Sequence, residues 1–245
     1  MLRIRSFAAC GARLRVRMVP GLLLSGFMAL AGSPPFAGTA AAQAPLSGPE
    51  AFPTELRTHA EKTGFQELTP HEAVVDFYRT LARHSDDVRI REIGRSREGR
   101  PMLAVTLARP AVAEPWEAQA SGKPIVFIGA QVHGNEPAGK EGLMLFAREL
   151  ALGTAQDLLE DGVFVFVPQI NPDGAEAGES GTRANPAGYN VNRDYARLVN
   201  PETQAIVDGV LTPWRPHVAV DAHELTGAHA YDFYALHPSH LSTPE

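Results

Sequence analysis

Pro124-Ile125-Val126-Phe127-Ile128-Gly129-Ala130 runs without a charge straight into Gln131-Val132-His133-Gly134-Asn135-Glu136. The apolar run has the length of a strand and does not alternate, so it reads as a strand buried on both faces. His133 and Glu136, three apart at the end of that strand, form a metal-ligand pair. A second apolar run, Val218-Ala219-Val220-Asp221-Ala222, is closed by His223. Two histidines and one glutamate leave one position of a zinc ion open, which is how a hydrolytic zinc site is built.

The neighbouring segments give the frame. Thr69-Pro70-His71-Glu72 reads as a capping box with proline at the first helical position. Val74, Tyr78, Leu81 and Ala82 continue it as one apolar stripe, which predicts a helix over 70–84. Residues 88–94 and 102–108 read as two strands joined by the charged turn Arg95-Ser96-Arg97-Glu98-Gly99-Arg100-Pro101, a β-hairpin. Residues 110–123 read as a loop, 139–151 as a helix, 163–167 as a strand, 201–211 as a short helix and 218–222 as a strand. Strands alternating with helices predict an α/β fold: a central mixed, mostly parallel sheet flanked by helices, with an antiparallel hairpin at one side.

In such sheets ligands bind beyond the carboxyl ends of the strands. His133 and His223 both follow strands, so they reach the same sheet edge, and Glu136 opens the next helix. His217 opens its strand and belongs at the opposite edge. His59, His71 and His84 flank the first helix and read as surface residues. His229, His237 and His240 sit in a polar tail and read as solvated. Glu224 reads as an orienting partner or a solvated acid, because adjacent side chains of an extended chain point apart.

Composition narrows the function classes. The 245 residues are 44% hydrophobic, enough for one domain with a real core. Arg3, Arg5, Arg13, Arg15 and Arg17 give a basic start, residues 18–32 are apolar, and Ala42-Gln43-Ala44 is an Ala-x-Ala cleavage signature. Residues 1–44 therefore read as a signal peptide, with a periplasmic or secreted address. The apolar stretch is too short for a good membrane span. Removing those five arginines and no acids takes the net charge from −6 to −11. An acidic chain without a basic cluster argues against nucleic acid. Cys10 is the only cysteine and lies in the leader, so any metal must be held by N and O ligands.

A third segment points to a family. After the strand at 163–167 come Asn171-Pro172-Asp173-Gly174, Thr182-Arg183-Ala184-Asn185 and Gly188-Tyr189-Asn190-Val191-Asn192-Arg193-Asp194-Tyr195. With His-x-x-Glu, the strand-terminal His223, and Gly94-Arg95-Ser96 and Gly99-Arg100-Pro101 ahead of them, the ordered set resembles the zinc carboxypeptidases of the carboxypeptidase A type, from about residue 93 to 223. The resemblance implies one zinc ion on His133, Glu136 and His223. It implies that Asn192 and Arg193 hold the free carboxylate of a peptide substrate, that Arg183 stabilises the oxyanion, and that 171–174 is a structural turn. A planar guanidinium suits both arginine roles.

Two departures stand out. The family usually places an aspartate two positions before the Asn-Arg pair, to orient a zinc histidine; here that residue is Asn190, an uncharged acceptor. The family's general base is a glutamate well downstream of the last zinc histidine, and Glu245 is too close to His223 to match it. The expected organisation is a signal peptide over 1–44, an extended lead-in over 45–68, and a zinc peptidase domain over 69–245 that is incomplete at its C-terminus, binds zinc weakly and hydrolyses little. Two other functions compete with an exported metallocarboxypeptidase: a zinc amidase on cell-wall peptides or acylated amino acids, and a non-catalytic module that binds peptide ends.

Overall fold

The computed structural model describes residues 47–224, so the leader, the tail histidines 229, 237 and 240, and Glu245 lie outside the described residues. Strands β1 (Val88–Arg95) and β2 (Pro101–Leu107) form the antiparallel hairpin, with a bulge between Glu92 and Gly94. Strands β3 (Ile125–Ala130), β4 (Val163–Val167) and β5 (Val218–Ala222) complete one sheet in the order β1-β2-β4-β3-β5. The β3/β4 and β3/β5 ladders are parallel; the hairpin joins through an antiparallel β2/β4 ladder. The fold is the expected mixed α/β sheet with helices on its faces.

Two cores explain why the strands read as unbroken apolar runs. Leu103, Val105 and Leu107 of β2 and Phe166 of β4 face helix α1 (His71–His84) and helix α2 (Ala138–Leu152). The alternate residues Met102, Ala104, Val163, Val165 and Val167 face the other core, with Ile206, Val210 and Trp214. Ile206 ends helix α3 (Pro201–Ile206), which runs on through a π-helical turn, Val207–Leu211. Burial of large aliphatic side chains on both sheet faces stabilises by roughly 1.5–3 kcal/mol each, and it leaves strand ends as the places where polar groups can gather.

Several local expectations change. The capping box at Thr69 and Glu72 does not form, and α1 starts at His71 without a side-chain cap. Thr69 is drawn elsewhere: its N–H and hydroxyl donate to Glu141 at 2.7 Å each. The first-turn N–H of His71 donates to Glu176 instead, at 2.8 Å. His71 itself is buried, not a surface residue. The 110–123 segment holds a short helix, Pro115–Ala120, opened by the Glu117 side chain, which accepts from the Glu114 N–H at 2.9 Å. The lead-in is not simply extended: short helical turns at Pro49–Ala51, Thr54–Leu56 and His59–Lys62 bury Phe52 and Leu56 against α1 and α2. No helix among the described residues is long and apolar enough to cross a membrane.

Candidate metal centre

Parallel pairing of β3 with β5, ending at Ala130 opposite Ala222, brings the two strand ends side by side. His223 follows Ala222 directly, and His133 lies one short turn beyond Ala130. Glu136 is placed by that turn, its N–H donating to the His133 carbonyl at 3.1 Å. The carboxylate of Glu136 then lies between both rings: Oε1 is 2.9 Å from His133 Nδ1 and Oε2 is 2.8 Å from His223 Nδ1. The three groups offer donor atoms within 4.8 Å of one another. Two imidazole nitrogens and a carboxylate at that separation fit one zinc ion with a position left open. The neighbouring Nε2 atoms are held as a ligand set requires: His133 Nε2 by Asn190 Oδ1 at 3.2 Å, and His223 Nε2 by Asp221 Oδ2 at 2.9 Å. Hydrogen bonds on Nε2 fix the tautomer that leaves Nδ1 free to coordinate.

Burial splits the two imidazoles. His133 is 1% exposed, and loss of water, helped by Arg183 and His223, pulls its pKa below the usual histidine value despite Glu136. His223 is more open, and its bond to Asp221, with Glu136 behind it, raises its pKa against the effect of burial. Burial pushes the Glu136 carboxyl up, but the bond to His223, the Glu224 N–H and the charges of both histidines outweigh it, and its pKa falls.

The surrounding motifs converge on this loop. Gly134 packs so closely on Gly174 that a Cβ would sit 2.1 Å from the Gly174 carbonyl carbon, so the turn at 171–174 needs glycine opposite it. Asn171 closes that turn through Oδ1 to the Gly174 N–H, 2.9 Å. Asp173, fully buried in it, accepts from the Ser96 hydroxyl at 2.6 Å, the Glu98 N–H at 2.8 Å and Arg100 Nη1 at 2.8 Å. The hairpin turn at 95–101 is therefore tied to the 171–174 turn, which packs on the loop that carries His133. Thr182 N–H donates to Gly174 O at 2.7 Å and leads into Arg183.

Arg183 is 51% exposed by its side chain, yet its Nη1 lies 2.9 Å from Glu136 Oε1, inside the same cluster. Asn192 and Arg193 occupy a 3-10 turn, Val191–Arg193, that Asn190 caps. Asn192 Nδ2 lies 3.3 Å from His223 Nε2. Arg193 forms no ion pair with Asp194, whose carboxylate accepts from the N–H groups of Val199 and Asn200, just ahead of α3, and from the Thr203 hydroxyl. Its guanidinium touches only the Asn192 carbonyl, at 3.2 Å, among the described residues. Glu224 does not point into the cluster: its carboxylate accepts from the Ala138 N–H at the start of α2, and only its backbone N–H reaches Glu136, at 3.2 Å. His217 lies at the opposite sheet edge, its Nδ1 accepting from the Ile125 N–H at 2.9 Å. Asp221 escapes sequence reasoning, although its spacing of two from His223 on an extended chain puts both on one face.

Known proteins share the sequence and fold over most of the described residues. Carboxypeptidase 2 of Trichophyton rubrum is 32% identical over 168 residues, covering 66% of this chain and 30% of that protein. The chain thus spans about a third of such a relative's length. Among solved structures, a metallo-carboxypeptidase from Burkholderia cenocepacia is 27% identical with a TM-score of 0.53, covering 63% of this chain and 40% of that one. The carboxypeptidase A of Helicoverpa armigera shares the fold at 20% identity, with a TM-score of 0.56 over 66% of this chain and 50% of that one. Residues 74–228 match the zinc carboxypeptidase family as a whole, so the chain belongs to that family.

Proposed function

We propose that residues 69–245 form part of the catalytic domain of an exported zinc metallocarboxypeptidase, which hydrolyses the C-terminal bond of peptides bearing a free carboxylate. His133, Glu136 and His223 hold the ion. Zinc, when bound, supplies a Lewis acid and a bound water of lowered pKa. Arg193 forms a bidentate pair with the substrate's terminal carboxylate, and Asn192 donates beside it. That Arg193 pairs with no acid among the described residues supports the role. Arg183 turns its guanidinium to the oxygen on which charge develops, where stabilisation raises the rate. Asn190 and Asp221 hold the two imidazoles by Nε2. Asp221 and Glu224, the acids beside the cluster, are committed to His223 and to Ala138. The proton acceptor in this reading is the family's glutamate downstream of the last zinc histidine.

The observation that carries this reading is the convergence of two strand-terminal imidazoles and Arg183 on the single carboxylate of Glu136. The test is hydrolysis by the full-length protein of matched peptides with free and amidated C-termini, before and after chelation and zinc repletion. Zinc-restored cleavage of the free-acid peptide alone is the expected result. Equal cleavage of both would favour the amidase reading, and binding of peptide ends without cleavage the non-catalytic one; either overturns the proposal.

A further inference from the structure

Behind the metal loop lies a buried line of polar side chains that the proposed chemistry does not use. Gln131, directly after β3, is buried and holds a left-handed backbone at φ 54°. That conformation is uncommon for a residue with a Cβ and needs surrounding contacts to maintain it. Its Nε2 donates to the Gly134 carbonyl at 2.8 Å, across the turn that carries His133. Its Oε1 accepts from Gln169 Nε2 at 3.0 Å, and Gln169 Oε1 accepts from His71 Nδ1 at 2.6 Å. Gln169 and His71 are buried too.

The direction of this line follows from its last member. The Gly134 carbonyl can only accept. Gln131 must therefore present its NH2 to it and its oxygen to Gln169. Gln169 must in turn present NH2 to Gln131 and oxygen to His71. His71 must donate from Nδ1, leaving Nε2 without a proton. That Nε2 is buried with no hydrogen-bond partner among the described residues, as a nitrogen without a proton can be. Each member has one arrangement compatible with its neighbours, so turning any single amide breaks two bonds. The line also spans three elements: the first turn of α1, the segment after β4, and the metal loop after β3.

We propose that His71, Gln169 and Gln131 are positioning residues that hold the 131–136 turn in the shape that aims His133 and Glu136 at a common ion. The inference rests on the zinc reading above. Gln131 sets the turn by tying its two ends, and Gln169 and His71 fix the orientation of the Gln131 amide. Loss of the line leaves the ligands in place but loosens their separation, which lowers metal affinity without removing a ligand.

The test measures zinc affinity by competition with a chromophoric chelator, alongside thermal unfolding of the metal-free full-length protein. Gln169→Met removes both bonds at the middle of the line without touching the loop. His71→Phe removes the donor, and His71→Asn keeps an N–H where Nδ1 stood. The expected result is a zinc affinity lowered about 10- to 100-fold in Gln169→Met and His71→Phe, as for other residues that orient ligands from behind, with recovery in His71→Asn. The double variant Gln169→Met/His71→Phe should lose no more than the worse single variant, because both act through one line. Unchanged affinity in a folded Gln169→Met protein overturns the proposal. So does a double variant whose losses multiply, or a His71→Asn protein as weak as His71→Phe. If either single variant fails to fold, the other and His71→Asn still decide. A parent protein that binds zinc no better than His133→Ala would instead overturn the zinc reading, and the positioning role with it.

Discussion

Asp221 Oδ2 sits 2.9 Å from His223 Nε2, while Nδ1 of the same ring lies 2.8 Å from Glu136 Oε2. In the proposed zinc site the charged orienting partner would therefore serve His223, and the uncharged Asn190 would serve His133. An anion on Nε2 makes the imidazole a better donor at Nδ1. Asp221→Asn should lower zinc affinity about 10- to 100-fold. Asp221 is substantially exposed, so at alkaline pH, where His223 is neutral, the metal-free protein should unfold at an unchanged temperature. Equal affinity of the two proteins in chelator competition would show the contact to be incidental.

Asn190→Asp should act in the opposite sense. His133 is nearly sealed from water, so a carboxylate 3.2 Å from its Nε2 is little screened. The new oxygen also keeps the cap that Asn190 Oδ1 provides for the Asn192 N–H at 3.1 Å. Zinc should bind more tightly, while the metal-free protein loses some stability from the partly buried charge. Weaker zinc binding in this variant would contradict the assigned Nε2 role.

Gly134 and Gly142 separate close packing from backbone freedom. A Cβ at Gly134 would lie 2.1 Å from the backbone of Gly174, and neither loop has room to give. Gly134→Ala should displace the turn between His133 and Glu136 and abolish tight zinc binding. Gly142 lies inside α2, and a Cβ there would meet nothing within 4 Å. Gly142→Ala should stabilise the fold by about 0.5–1 kcal/mol, the helix-propensity gain, with zinc affinity unchanged. Denaturant midpoints and chelator competition on both variants check the pair.

The frame is legible in the sequence because its signals are local. Non-alternating runs at 125–130 and 163–167 announce doubly covered strands, and a histidine closing each of two parallel strands announces a shared edge. The misreadings have a common cause: a polar side chain's partner lies far along the chain. Thr69 reads as part of a helix cap, but Glu141 claims it. His71 reads as exposed beside a proline, but Gln169, almost a hundred positions away, draws it inside. No local pattern predicts a left-handed Gln131. Pro115 at the first helical position and Glu117, whose side chain accepts from the Glu114 N–H, mark a helix that polar composition conceals.

Arg148 and Glu61 form a buried bidentate pair, with both N–O distances 2.7 Å and side chains 2% and 4% exposed. Arg148 also donates to the Leu56 carbonyl at 2.9 Å and lies over the Phe52 ring. This pair fastens the segment before α1 to α2. Glu61→Gln leaves a buried guanidinium without its counterion and should cost about 3–5 kcal/mol, whereas Glu61→Gln/Arg148→Met should regain part of that loss. Burial pushes the Glu61 carboxyl up, but the bonds from Arg148 and the Thr58 N–H, with the charges of Arg148 and Arg57, hold its pKa below the ordinary value. A lowered carboxyl pKa stabilises the fold above the unfolded value of about 4.3. That stability is lost as pH falls through the native value. Urea midpoints should therefore drop on acidification in the wild type more steeply than in Glu61→Gln.

His71 gives a second acid limb at higher pH. Burial and the Arg100 charge lower its pKa, and the Gln169 bond, Glu176 and Asp173 only partly oppose them. The native ring therefore binds its second proton less readily than the unfolded ring, whose pKa is about 6.5. Above that value both states are neutral and the full stability is present. As pH falls below it, the unfolded state takes up protons that the native state refuses, and stability declines until the native pKa is passed. His133 contributes a limb of the same sign and His223 one of opposite sign, so the shape of a single curve does not isolate His71. The difference between the wild type and His71→Asn does. Asparagine keeps the donor to Gln169 but cannot titrate, so the stability advantage of the metal-free wild type should shrink between about pH 7 and 5. A difference that stays constant over that range would mean that the imidazole titrates alike in both states, and that its Nε2 is not sealed from water.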